Sequence, residues 1–142
     1  MRKKDNVLAS MPSGKYYIGD LCYVMHDRWD EFCQKSFDED GYSRQGRIVM
    51  DDGSIVAWFG TAWGDGTYRD QSGRKYGVDA GLIGCIKMND INHDNLENEV
   101  KFGHIVNFVR NFECGYQDGD IWFDDITINT DPSYEEEEEY ED

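Results

Sequence analysis

The sequence predicts a mainly β fold of the α+β class: an antiparallel sheet curled into a sandwich or partial barrel, with one helix near residues 27–37. Three observations predict it. Short runs rich in aromatic and β-branched residues recur at close spacing, about eight of them, bounded by turn-forming residues. Fifteen glycines, many of them beside aspartate, suit sharp turns and bulges. Only one stretch carries a clear helical stripe, with Trp29, Phe32 and Cys33 at i, i+3 and i+4. Many short strands and a single early helix favour a curled antiparallel sheet over a parallel one.

Residues 1–13 are polar, lack periodicity and end in the breaker Met11-Pro12-Ser13-Gly14, so they are expected to form a loose leader. Lys15-Tyr16-Tyr17-Ile18 reads as a strand, Gly19-Asp20 interrupts it, and Leu21-Cys22-Tyr23-Val24-Met25 resumes it. The helix follows, with Asp27 as N-cap and Asp30 and Glu31 at the positive end of its dipole. Arg47-Ile48-Val49-Met50, Asp51-Asp52-Gly53 and the run from Ser54 to Phe59 make a hairpin signature, with Asp-Gly expected in a type I′ turn. Gly64-Asp65-Gly66 is a bend, and Asp70-Gln71-Ser72-Gly73 is a turn between strands at 67–69 and 75–78. Further strands are expected at 82–88, 105–112, 121–123 and 126–129, with a short helix at 95–100. Asp118-Gly119 is the turn before Ile121.

At 142 residues the chain is one domain in length, placed at 14–133, and needs no disulfide to fold. Thirty acidic against fourteen basic residues give a net charge of -16. This argues against direct binding of nucleic acid or an anionic membrane, both of which call for a basic face. The longest apolar run, Ile55-Val56-Ala57-Trp58-Phe59, is far short of the roughly 20 residues that span a bilayer. No signal-peptide pattern follows Met1-Arg2-Lys3-Lys4, so a soluble, cytoplasmic protein is expected. Cys22, Cys33, Cys85 and Cys114 form no CxxC pair and are expected as reduced thiols without zinc. Residues 134–142 hold six glutamates and an aspartate and are expected to be disordered when free.

Candidate chemistry is sparse. Ser13-Gly14-Lys15 lacks the upstream glycine and the following helix of a phosphate loop. Asp20, Asp65 and Asp79 each adjoin glycine or a Val-Asp-Ala-Gly stretch. They read first as turn devices. Convergence of the three would make a metal-binding or acid–base cluster instead. His26, His93 and His104 lack the spacing of a helical zinc site, and a Cys–His pair stays open because such partners meet only in space. Trp58, Trp63 and Tyr68 are candidates for stacking a small ligand. In the tail, Tyr134, Glu135, Glu136, Glu137, Glu138, Glu139 and Tyr140 form an electrostatic hook flanked by aromatics, suited to a basic partner.

Three segments carry a resemblance: the run from Gly14 to Tyr23 (GKYYIGDLCY), the run from Tyr76 to Cys85 (YGVDAGLIGC), and the run from Asp125 to Asp131 (DITINTD). Together they resemble a group of uncharacterised small proteins of bacteriophages and bacteria, over about residues 14–131. The Val-Asp-Ala-Gly stretch also resembles the motif of a larger bacterial domain of unknown function. Leu21 stands where members of the first group often have proline. The resemblance implies a compact domain of phage or bacterial origin and assigns no catalytic residue. The reading that follows is a non-enzymatic phage-type accessory protein, without cofactor or metal. It would bind a host protein through acidic surface facing a basic nucleic-acid-binding site. The alternatives are a small-molecule or nucleotide-derivative binder built on the aromatics, and a small hydrolase built on the aspartates.

Overall fold

A computed structural model describes residues 7–36, 45–91 and 102–130. Eleven strands lie among them, in two antiparallel sheets that do not close on themselves. The first sheet has the order β1 (Val7–Met11), β9 (Phe112–Gln117), β10 (Asp120–Phe123), β11 (Ile126–Asn129), β5 (Gly66–Asp70), β6 (Lys75–Val78). The second has the order β3 (Gly46–Val49), β4 (Ile55–Gly60), β7 (Leu82–Lys87), β2 (Gly14–Gly19), β8 (His104–Phe108). The β-rich sandwich expected from the sequence is the fold.

Alternation along the strands explains the layering. In β2, Tyr16 and Ile18 face the first sheet, while Tyr17 faces away. The same split puts Ala57, Phe59, Ile83 and Cys85 in the core between the sheets, with Met11, Cys114, Ile121, Phe123 and Ile128 opposite them. The other face of the second sheet carries the paired row Ile48, Val56, Ile86 and Tyr17. That row is buried too, because Leu21, Val24, Met25 and Phe32 cover it. A sheet covered on both faces needs strands apolar at every position. This is why the run from Val56 to Phe59 shows no polar alternation.

The helix α1 (Trp29–Ser36) follows a 3-10 turn, His26–Arg28. Phe32 is fully buried, stacked on Trp29 and edge-on to Trp58, and Trp29 and Cys33 are half-buried against the same cluster. Arg28 clamps this layer to the sheet: its guanidinium donates to Asp52 Oδ2, Ser54 Oγ and the Asp90 carbonyl at 2.8, 3.1 and 2.7 Å. Among the described residues no helix is long and apolar enough to cross a membrane.

Four local expectations are corrected. From Val7 onward the expected loose leader is β1, paired antiparallel with β9. Leu21–Tyr23 is a 3-10 turn and not a resumed strand, because the Asp20 carboxylate caps the Cys22 N–H and turns the chain. The expected strand over 105–112 is two strands, β8 and β9, divided at Val109-Arg110-Asn111. The turn at Asp51-Asp52-Gly53 is not type I′, since positive φ falls on Gly53 alone (91°). The Gly53 N–H bonds the Met50 carbonyl, and the Met50 N–H bonds the Ser54 carbonyl, giving the three-residue loop with a glycine bulge. The helix expected at 95–100 lies outside the described residues.

Candidate functional site

The best-defined polar centre forms where β2 ends. Asp20 is fully buried. Its Oδ1 accepts the Cys22 N–H at 3.0 Å, and its Oδ2 accepts the N–H groups of Asp79 and Ala80 at 2.7 and 2.6 Å. The Asp20 carbonyl accepts from the Tyr23 N–H and the Tyr17 hydroxyl. One carboxylate thus ties the Gly19-Asp20-Leu21-Cys22 segment to the Val78-Asp79-Ala80-Gly81 turn, and two of the three resembling segments meet at it. Gly84 lets them approach. A Cβ there would fall inside contact distance of the Ala57 carbonyl and the Leu21 side chain, so only glycine seats Leu21 against β7.

The loop after β4 closes onto the same corner. The Thr61 N–H donates to the Gly81 carbonyl at 3.0 Å, and the Thr61 hydroxyl donates to the Gly64 carbonyl at 2.7 Å. This brings Asp65 near Asp79, and the three candidate aspartates do share one end of the sandwich. Their charges converge on the Cys22 thiol and the Tyr23 hydroxyl. Burial first, then Asp20, Asp79 and Asp65, push the Cys22 thiol far above its ordinary value. Burial and then Asp79, Cys22, Asp20 and Asp65 push Tyr23 up to about 12. A thiol so placed stays protonated near neutrality, the opposite of an activated nucleophile. The three carboxylates nonetheless do different things. Asp20 is turned inward onto backbone N–H groups, whereas Asp65 and Asp79 are exposed. Among the described residues, no group of three or more histidine, cysteine or acidic side chains is arranged to hold a metal ion.

The aromatic candidates do not share a surface. Trp58 is buried on the helix side of the second sheet, against Phe32. Tyr68 is buried between the sheets, with its hydroxyl donating to the Gly64 carbonyl. Trp63 is 58% exposed in the loop after β4. The tail candidates Tyr134, Glu135, Glu136, Glu137, Glu138, Glu139 and Tyr140 lie outside the described residues, as does His93. His104 joins the two sheets, with its Nε2 2.8 Å from the Lys75 carbonyl and its ring edge-on to Tyr76.

A second polar centre escaped the sequence reading. The side chain of Asp70 is fully buried and accepts from the Ser72 and Arg74 N–H groups, the Arg74 Nε and the Tyr76 hydroxyl, all within 3.0 Å. Burial alone would raise its pKa. The bonds from Tyr76, Arg74 and Ser72 and the Arg74 charge outweigh that and hold the carboxyl below its ordinary range. The signal was present as an aspartate opening the Asp70-Gln71-Ser72-Gly73 turn, where a side chain that accepts from the N–H two residues on is expected. What no local pattern shows is that the Asp70 carboxylate is buried beside Tyr76 while Gln71, Ser72 and Gly73 stay exposed.

Comparison with known protein families, curated proteins and solved structures finds no match to this chain.

Proposed function

We propose that this chain is a non-enzymatic accessory protein, of the phage type its motifs resemble, that binds and modulates a host protein. The partner is a cytoplasmic protein with a basic, nucleic-acid-binding face, and the contact is made by acidic surface. The observation that carries the reading is the charge: 30 acidic against 14 basic residues, for a net of -16. Such a surplus speeds encounter with a basic face and repels nucleic acid and anionic membrane alike. Glu135 to Glu139, flanked by Tyr134 and Tyr140, form the densest part of it. The environment of Asp20 supports the same reading, because both its carboxylate oxygens serve backbone N–H groups and so serve the fold. The exposed, electrostatically driven contact makes a salt-sensitive complex.

The test is a pull-down from host lysate with the full chain and with a variant carrying Glu135→Gln through Glu139→Gln. Recovery of a nucleic-acid-binding protein at low salt is expected. Its loss at high salt, on addition of competing DNA, and in the neutralised variant is expected with it. Capture that ignores salt, DNA and the five substitutions would overturn the reading.

A further inference from the structure

Resting on the acidic-docking reading above, we infer that a trough at the end of the sandwich opposite Asp20 seats an extended, basic segment of the partner protein. The trough lies where β2 begins and Gly14 pairs with Phe108. A crossover loop and a hairpin tip form its walls: Val109-Arg110-Asn111, which passes from β8 in the second sheet to β9 in the first, and Asp124-Asp125 between β10 and β11. Two adjoining hollows, of about 390 and 420 Å³, share Asn111, Phe112 and Asp124 in their linings. Two shallow hollows in a row suit an extended chain better than a single compact ligand.

An aromatic cluster, nearly all of it buried, lies beneath a lining that is mostly polar. Phe108 and Phe112 stack at 3.8 Å between centroids, and Tyr16 meets both edge-on at 5.7 and 5.1 Å. Val109, 80% exposed on the crossover loop, supplies the apolar surface that reaches solvent there. The rim is acidic, with Glu113, Asp124 and Asp125 all exposed. The Asp124 N–H donates to the Glu113 carbonyl at 2.8 Å, which ties the start of the β10–β11 turn, where Asp124 has a φ of 58°, to Glu113 on β9. Arg110 is the one cation lining the trough among the described residues, outnumbered three to one. An aliphatic side chain of the segment packs against Val109, and a lysine or arginine beside it meets the acidic rim. A second copy of this chain is the wrong occupant, because two bodies of charge -16 repel.

The test titrates the isotopically labelled full chain with a short peptide of alternating lysine and leucine and follows amide shifts by NMR. Shifts are expected at Val109, Phe112, Glu113 and Asp125. A lysine–glycine peptide should move them less, and a glutamate–leucine peptide not at all. The double variant Glu113→Gln, Asp125→Asn should weaken the lysine–leucine peptide roughly three- to tenfold at low salt, the range for two exposed ion pairs. No response in the trough, an equal response to the glutamate–leucine peptide, or unchanged affinity in the double variant would overturn the inference. Shifts confined to residues 134–142 would overturn the trough while leaving acidic docking intact. A lysate capture indifferent to salt would do the reverse if the trough still responded.

Discussion

At the residue scale, aspartates in glycine-containing turns serve two separate ends in this chain. Asp20 and Asp79 lie 59 residues apart and meet at one corner, yet only Asp20 has a buried carboxylate bonded to backbone N–H groups. Their substitutions therefore separate. Asp20→Asn leaves one acceptor oxygen and turns an amide N–H₂ toward backbone donors. It should cost roughly 1–3 kcal/mol, the range for an unmade buried bond to a charged acceptor. Asp79→Asn and Asp65→Asn alter exposed side chains and should stay within about 0.5 kcal/mol. Denaturant melts of the three variants check this. Had the three carboxylates crowded one cleft, removing any of them would relieve repulsion and stabilise the fold. The pairing of Asp20 with the Val78-Asp79-Ala80-Gly81 turn was legible only as two motifs that recur together. Neither propensity nor periodicity reports on a contact between segments so far apart.

At the scale of the element, the turns show what the sequence can and cannot disclose. The hairpin at Asp51-Asp52-Gly53 was legible from Asp-Gly between apolar runs, but its type was not. Positive φ costs a β-carbon-bearing residue more than glycine, and with one extra residue in the loop Gly53 alone carries it. At Asp118-Gly119 the loop is two residues long, and both adopt positive φ (54° and 90°), as a type I′ turn requires. The break at Val109-Arg110-Asn111 stayed hidden because it contains neither glycine nor proline. The β5–β6 hairpin has a loop like the first, with the Gly73 N–H on the Asp70 carbonyl, and adds a buried carboxylate. That carboxylate makes the hairpin pH-sensitive with a definite sign. The folded state holds Asp70 below its ordinary value of 3.8. Its contribution is therefore complete above that value and is lost as pH falls through the lower folded value. The stability gap between the parent and Asp70→Asn, measured by urea melts, should be widest at neutral pH and narrow as acid protonates Asp70. A gap that stays constant down the acid limb would mean that charge plays no part in the turn.

At the scale of the whole molecule, the question is whether the two sheets separate short of unfolding. The cysteines report on it because they sit at different depths. Cys85 in β7 and Cys114 in β9 are both free and fully buried, and they meet thiol to thiol across the sandwich. Burial, and then the bond with Cys114, push the Cys85 thiol well above its ordinary value. Cys22 and Cys33 are half-buried at the periphery, and Cys33 is raised by burial and then by Asp30. Thiolate is the reacting form, so the raised Cys22, Cys33 and Cys85 thiols alkylate slowly, and only the buried Cys85 and Cys114 require the sheets to part. Cys33, with the milder shift and a place on the helix, should label first in the native protein. Cys85 and Cys114 should label together and at least about a thousandfold more slowly than in the unfolded chain, the minimum protection that a domain of ordinary stability provides. Mass spectrometry of native protein quenched at intervals separates the four sites. Added urea should speed Cys85 and Cys114 in parallel, with the dependence of global unfolding, because the interdigitated residues of both sheets form a single core. If either core thiol labelled within minutes in water and without urea dependence, the sheets would be opening locally. The sandwich would then be two weakly coupled layers and not one cooperative unit.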